Sequence, residues 1–366
     1  MIRIGIIGTG GMGNQHALRF SRMKRVEVVS ACDVNRTRVE TFCAEHSIGH
    51  AYCSARDLLA GQPVDAVSVA TPDAMHASIA LLAIEKGRHV LCEKPLATSY
   101  EDAARMRDAA HAAGVINMVN FTYRDSPALQ AAAKLVASGE LGVVRHVHAH
   151  YLQSWLAQDE WGYWRESPTW LWRLSKKHGS MGVLGDVGVH ILDFASMPLG
   201  GISSVRCTLK SFEKDRTGVA DDYDFEANDS AAITAEFENG AIGVIHTTRW
   251  AVPHLNSLRL NLYGDKGSIE LDLDRSANEL LISRNVGRKC GDWEHLRCDA
   301  TPSIFERFIT GIRSGEQDQP DFARGALIQS ALEACEVSSA MDRTVRVGEN
   351  GYSVPSDATP ERPPVL

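Results

Sequence analysis

The sequence predicts an α/β chain of two domains: a doubly wound parallel sheet of the Rossmann, dinucleotide-binding type, then an α/β domain built on an antiparallel sheet. Three observations carry this. Short apolar runs alternate with helical segments from residue 2 to about residue 120. A G-x-G-x-x-G turn, Gly8-Thr9-Gly10-Gly11-Met12-Gly13, joins the first run to the first helical segment. Beyond Asn120 the pattern changes to longer alternating segments separated by tight turns. The expected division is residues 1–123, residues 124–351, and a proline-rich tail over 352–366 that reads as an arm or a disordered segment.

In the first domain, strands are expected at 2–7, 26–33, 64–70, 90–92 and 115–119. Helices are expected at 12–23, at 36–46 with Asn35 as N-cap, after Asp73 as cap and ending before Gly87, and at 100–113 closed by Gly114. In the second, residues 127–138 read as an amphipathic helix. Strands follow at 143–153, 205–210, 230–237, 241–249, 258–263 and 268–273. Asn239-Gly240 and Gly264-Asp265-Lys266-Gly267 are turn signals. Late helices at 303–313 and 322–341 lie on one face of the sheet.

The chain has 366 residues and a formal net charge of -8, which disfavours a nucleic-acid surface. It holds no apolar run of about 18 residues, so no membrane span is expected. Met1 leads straight into a strand, and the eight cysteines form no C-x-x-C pair. Both features suit a cytoplasmic protein with reduced thiols.

The glycine turn follows a strand, opens a helix and has Asp33 roughly 20 residues on, the context of dinucleotide binding. Gly8 makes the turn, Gly10 lets the backbone approach a pyrophosphate, and Gly13 packs helix on strand. Thr9, Gly11 and Met12 complete the phosphate-facing turn. The Asp33 carboxylate suits the ribose hydroxyls and favours NAD. Arg38, with Arg36, can admit a 2′-phosphate, so NADP stays possible. Thr71, Pro72, Asp73 and His76 follow the third strand, where ligands bind in such sheets.

Glu93-Lys94-Pro95 ends another strand. Lys94 can hydrogen-bond a substrate oxygen and stabilise developing negative charge, and Glu93 can steer it; a turn lysine is the plainer alternative. Gly185-Asp186-Val187-Gly188-Val189-His190 opens a helix. Asp186 and His190 are i and i+4 and share a face, which suits a proton relay, or a capping Asp beside a helical His.

These three motifs, in this order, resemble the glucose–fructose oxidoreductase / inositol dehydrogenase / rhizopine-catabolism family over nearly the whole chain. The resemblance implies a large, mostly antiparallel, open-faced second sheet, and Lys94, Asp186 and His190 as the catalytic set. It also implies a cis Lys94-Pro95 bond and a homodimer or homotetramer. The expected activity is NAD-dependent oxidation of a secondary hydroxyl on a sugar or cyclic polyol. A redox glycosidase, a sugar:sugar oxidoreductase that keeps its cofactor, and a non-catalytic dinucleotide sensor are the alternatives on the same fold.

Five of seven tryptophans fall between residues 155 and 172, with Arg173 following. Aromatic faces beside an arginine suit a sugar ring; loop packing or an oligomer contact would use the same residues. Trp172-Arg173 resembles a W-R pair of sugar dehydrogenases in that family. Tyr123, Arg124 and Gln153 are further substrate-binding candidates. His146, His148 and His150 alternate and share one strand face. No metal is expected there, because hydride transfer needs none.

Overall fold

This computed structural model describes residues 1–215, 222–285 and 291–355. Strands β1 (Ile2–Ile7), β2 (Val26–Cys32), β3 (His50–Tyr52), β4 (Ala66–Val69), β5 (His89–Cys92) and β6 (Asn117–Val119) form a parallel sheet in the order β3-β2-β1-β4-β5-β6. Helices α1 (Gly11–Ser21), α2 (Arg36–His46), α3 (Ala55–Ala60), α4 (His76–Glu85) and α5 (Tyr100–Ala113) make the connections. The chain order reverses between β1 and β4, and that switch point opens a crevice at the strands' carboxyl ends. The middle strands read as apolar runs because both faces are covered; all four residues of β4 are buried. Asn35 caps α2 as expected, its side chain accepting from the Arg38 amide.

The second part begins with α6 (Pro127–Ala137) and β7 (Val144–Leu152), and continues through α7 (Pro168–Leu171) and α8 (Val189–Ser196). Next come β8 (Ile202–Lys210), β9 (Ser230–Phe237), β10 (Ile242–Thr248), β11 (Ser257–Gly264), β12 (Gly267–Asp272), β13 (Glu279–Arg284) and β14 (Glu294–Arg297). Helices α9 (Ile304–Ser314) and α10 (Phe322–Met341), then β15 (Val345–Gly348) and β16 (Gly351–Ser353), end it. The ten strands form one sheet, β14-β13-β12-β11-β7-β10-β9-β8-β15-β16, antiparallel except where β7 and β10 run parallel. Helices α8 and α10 pack on one face only. Strand β9 shows the consequence: Ala231, Ile233, Ala235 and Phe237 are buried while Ala232, Thr234 and Glu236 are exposed. Among the described residues, no helix covers the other face.

Three expectations need correction. Asp73 does not cap a helix: its side chain makes no capping bond, and α4 begins at His76. The tail does not begin at 352, because Tyr352 and Ser353 lie in β16; residues 356–366 lie outside the described residues. The last helices also return to the first sheet. The Val119 amide donates to the Pro320 carbonyl at 2.9 Å, and the Asn117 amide to Gln317 Oε1 at 3.0 Å. This segment covers the exposed edge of β6, which would otherwise present unpaired backbone groups.

Arg124 is not a substrate contact here. It makes a bidentate bridge to Asp193, at 2.7 Å from Nε and 2.7 Å from a terminal nitrogen, and does not line the cavity between the domains. Arg324 of α10 adds a third bond to the same carboxylate at 2.7 Å. Asp193, 1% exposed, therefore ties the domain junction to α8 and α10. Burial pushes its carboxyl up, but the charges and hydrogen bonds of Arg124 and Arg324 outweigh this and hold it at about 2. A depressed carboxylate stabilises the fold above its unfolded value of about 3.9, and that contribution is lost as the pH falls towards 2. Asp193→Ala leaves two buried guanidinium groups facing each other. It should destabilise by about 3–5 kcal/mol, read as a lower denaturation midpoint at pH 7; an unchanged midpoint would show that the triad does not hold the junction.

Candidate active site

The glycine turn forms as its spacing requires. A Cβ at Gly8 would lie 2.4 Å from the Ala70 carbonyl oxygen, and one at Gly13 would lie 2.1 Å from the Gly8 carbonyl oxygen, so both need glycine. At Gly10 and Gly11 a Cβ would meet nothing within 4 Å. Helix α1 starts at Gly11 with no side chain on its first amides. Free amides at a helix start, above an open glycine surface, fit a pyrophosphate. Asp33, 8% exposed, sits at the end of β2. Its Oδ2 accepts from the Thr9 amide and hydroxyl at 3.1 and 2.9 Å, and its Oδ1 from the Asn35 amide at 3.0 Å. Burial opposes ionisation, but these bonds and nearby Arg38, at 3.5 Å, hold the carboxyl below its usual range. Thr9 and Arg38 also line a cavity of about 340 Å³ beside it.

Across the switch point lies a second cavity of about 350 Å³. Met12, Thr71, Asp73, Glu93 and Lys94 line one side; Tyr123, Trp172, Arg173, Asp186 and His190 line the other. Residues from both domains thus meet in one pocket. The Thr71 hydroxyl is buried without a hydrogen-bond partner in its wall. A glycine cradle with an unmatched hydroxyl further along the crevice fits a dinucleotide. Pro72 is exposed in the turn beside it. His76 is fully buried, and its ring nitrogens face the carbonyls of Pro95 at 2.8 Å and Thr71 at 3.0 Å. It ties the two turns together rather than lining the cavity.

Lys94 precedes a cis bond to Pro95, as expected. Its ammonium donates to the Asp186 carbonyl at 3.0 Å and lies 3.6 Å from the carboxylate. Glu93 does not touch that ammonium. Its Oε2 accepts from the Lys94 backbone amide at 3.1 Å. Its Oε1 faces His16 Nε2 at 2.9 Å and the Asn120 amide at 2.5 Å. Burial raises the Glu93 carboxyl, but His16, Asn120 and the Lys94 charge outweigh burial and hold it at about 2. His16, fully buried, was not among the expected site residues. Its signal is a histidine on the apolar face of α1, beside Gly13, Ala17 and Phe20.

The Asp186–His190 relay is corrected by the structure. Residues Leu184–Gly188 form a π-turn, in which the Val189 amide donates to the Leu184 carbonyl five residues back. No hydrogen bond joins the two side chains among the described residues, although the Asp186 charge still acts on the imidazole. The Asp186 carboxylate instead faces Lys94, Arg249 at 3.0 Å and Arg173 at 3.4 Å. Burial would raise this carboxyl; Lys94, Arg249 and Arg173 outweigh it and hold the group far below the carboxylate range. Arg249, at the end of β10, is completely buried and was also missed. It donates to the Arg173 carbonyl at 3.0 Å and lies 4.9 Å from the Trp155 ring centroid.

His190 has an unpartnered, buried Nδ1. Burial and the Lys94 charge lower its pKa to about 3, so the imidazole is neutral near pH 7. Tyr123 packs edge-on against it, with ring centroids 4.9 Å apart. The Tyr123 hydroxyl is 2.7 Å from that of Tyr151 and accepts from Asn256 at 3.0 Å. Gln153 lies behind this group, bonded to Asn256 at 3.1 Å, and does not line the cavity. Of the five tryptophans in that loop, only Trp172 lines it. Trp155 and Trp164 are buried in a small core of their own with Leu156, Leu171 and Leu174. Packing therefore accounts for most of that loop.

Two family models match the chain: the oxidoreductase family with an NAD-binding Rossmann fold over residues 2–121, and the GFO/IDH/MocA C-terminal domain over residues 129–270. Levoglucosan dehydrogenase of Pseudarthrobacter phenanthrenivorans is 29% identical over 300 residues, covering 75% of this chain and 74% of that protein. D-glucoside 3-dehydrogenase of Escherichia coli is 26% identical over 345 residues, covering 91% and 94%. A crystal structure of an oxidoreductase domain protein from Kribbella flavida superposes with a TM-score of 0.84 at 31% identity, covering 95% of this chain and 100% of that one. Levoglucosan dehydrogenase in complex with NADH and levoglucosan superposes with a TM-score of 0.84 at 25% identity, covering 95% and 99%. Together these matches show that the chain belongs to the GFO/IDH/MocA family of oxidoreductases with an NAD-binding Rossmann fold.

Proposed function

We propose that this protein is an NAD-dependent dehydrogenase that oxidises a secondary hydroxyl of a sugar, anhydrosugar or cyclic polyol. The observation that carries this is the convergence of Lys94 and a neutral His190 in one cavity beside the glycine cradle. Bound NAD supplies the hydride acceptor. His190 takes the hydroxyl proton on a ring nitrogen, a role open to it because burial keeps the imidazole unprotonated. Lys94 donates a hydrogen bond to the same oxygen and stabilises the alkoxide charge that develops on it. Asp186 holds Lys94 in place through its carbonyl and carboxylate. Trp172 offers a flat apolar wall, and Arg173 and Asp73 offer hydrogen bonds to hydroxyls. Relatives named for levoglucosan, D-glucosides, glucose 6-phosphate and 1,5-anhydro-D-fructose support a pyranose-sized substrate.

A second copy of this chain is the partner we infer for the open face of the second sheet. Ile242, Val244 and Tyr263 are exposed there. Ten strands about 4.8 Å apart give a face on the order of 1,000 Å², above the roughly 800 Å² per partner of a standard interface.

The purified protein with NAD should form NADH, read by absorbance, on at least one of levoglucosan, methyl glucosides, glucose 6-phosphate or an inositol. Aryl glycoside cleavage that needs NAD but accumulates no NADH would replace the dehydrogenase reading with the redox glycosidase. Lys94→Ala and His190→Ala should each lower kcat by about 10²–10⁴-fold while NADH binding, read by fluorescence, persists. In the wild type the acid limb of kcat/KM should lie below the ordinary imidazole value of about 6.5, since His190 stays neutral to lower pH. A limb at 6.5 or above would assign the base elsewhere. Light scattering after size exclusion should give a dimer or tetramer; a monomer at micromolar concentration removes the inferred pairing.

A further inference from the structure

On the open face of the second sheet, away from the catalytic cavity, three imidazoles converge. His148 and His150 stand two residues apart on β7 and so share a face. Strand β10 runs parallel beside β7, with His246 opposite His150 and Val244 opposite His148. The ring centroids are 5.3 Å apart for His150 and His246, 5.5 Å for His148 and His246, and 5.8 Å for His148 and His150. One ring nitrogen of each lies within 4.8 Å of the others. His146, the third member of the alternating run, is exposed further along and packs near Tyr263 instead.

Two further observations bear on what the cluster does. The His150 ring is 9% exposed, and its Nε2 is buried with no hydrogen-bond partner. A buried ring nitrogen without a partner is costly unless something occupies it. None of the three imidazoles makes a side-chain hydrogen bond among the described residues, so all three remain available as ligands. Arg259 of β11 faces His150 in register, and its charge alone would repel a cation. Its guanidinium is bound to Asp272 at 3.0 Å, which returns a negative charge to the same place.

We propose that His148, His150 and His246 form a binding site for one divalent transition-metal ion of the zinc type. Imidazole suits such ions, and three histidines plus a water is a recurrent coordination set for zinc. Tetrahedral zinc–nitrogen bonds of about 2.0–2.1 Å put the nitrogens about 3.3 Å apart, so nitrogens now within 4.8 Å must close by up to about 1.5 Å. His148 and His246 are only half-buried and can swing to do so. In the single chain the remaining position lies on the open face of the sheet, the face inferred to meet a second copy. Tyr151, the residue after His150 and so on the opposite face of the strand, reaches Tyr123 beside the catalytic cavity. The site is therefore separate from the catalytic pocket, and it needs no residue of a second copy.

The test uses the full chain, stripped with a chelator and dialysed, then titrated with Zn²⁺ against a chromophoric competitor. We expect one ion per chain with micromolar or tighter affinity. His150→Ala and His246→Gln should each weaken it at least tenfold, whereas His146→Ala and His190→Ala should not. Circular dichroism and unchanged NADH affinity control for folding in each variant. Co²⁺ should give the visible absorption of a site with nitrogen ligands in wild type and lose it in His246→Gln. Absence of stoichiometric Zn²⁺ binding would overturn the proposal. So would binding that survives both His150→Ala and His246→Gln, or binding lost in His190→Ala, which would place the ion in the catalytic cavity.

Discussion

A guanidinium with no exposed surface must find a negative charge, and in this protein Arg249 finds Asp186. That pair sets the rest of the site. It fixes the carboxylate at the start of the helical segment that carries His190, and the same residue holds Lys94 across the domain junction. Lys94, Arg173 and Arg249 surround one carboxylate, which offsets part of the positive charge they bring to the cavity. Removing Asp186 would take from the buried Arg249 the carboxylate it is bound to, which explains why a residue at the end of β10 matters to a pocket lined from elsewhere.

A parallel arrangement fixes the other wall. Glu93 is buried among His16, Asn120 and the Lys94 amide. Each bond is local to the first domain, so the strand end bearing Lys94 is positioned before the second domain contributes anything. The second domain then brings Asp186, His190 and Trp172 to meet it, and the Arg124–Asp193–Arg324 triad holds the junction in register. Cavity-lining groups from two domains thus rest on two separate buried polar networks, one on each side of the cavity.

How much of this was legible in the residues depended on range. The glycine turn, Asp33, the Asn35 cap and the helix over Phe322–Met341 follow from spacing and turn chemistry within one element, and the structure shows them where expected. Short edge strands were not legible: β3 has three residues, none of them buried, and β14 and β16 have no buried residue either, so none shows a clear alternation. Asp186 and His190 were found as residues, but their relation was misread because the Asp186 carboxylate faces Lys94, Arg173 and Arg249 instead. Arg124 looked available because it stands at the junction; only its neighbours showed that Asp193 occupies it.

By itself the sequence determined the fold class, the dinucleotide cradle and the residues Lys94, Asp186 and His190, because hydrophobic period, capping and glycine turns act over a few consecutive residues. The tertiary structure alone decided which distant groups those residues meet. Arg249 reaches Asp186 from 63 positions away, His16 reaches Glu93 from 77, and His246 stands beside His150 only because β10 pairs in parallel with β7. Strand order in a sheet is settled by packing among all the elements at once, and no local pattern in the chain records it.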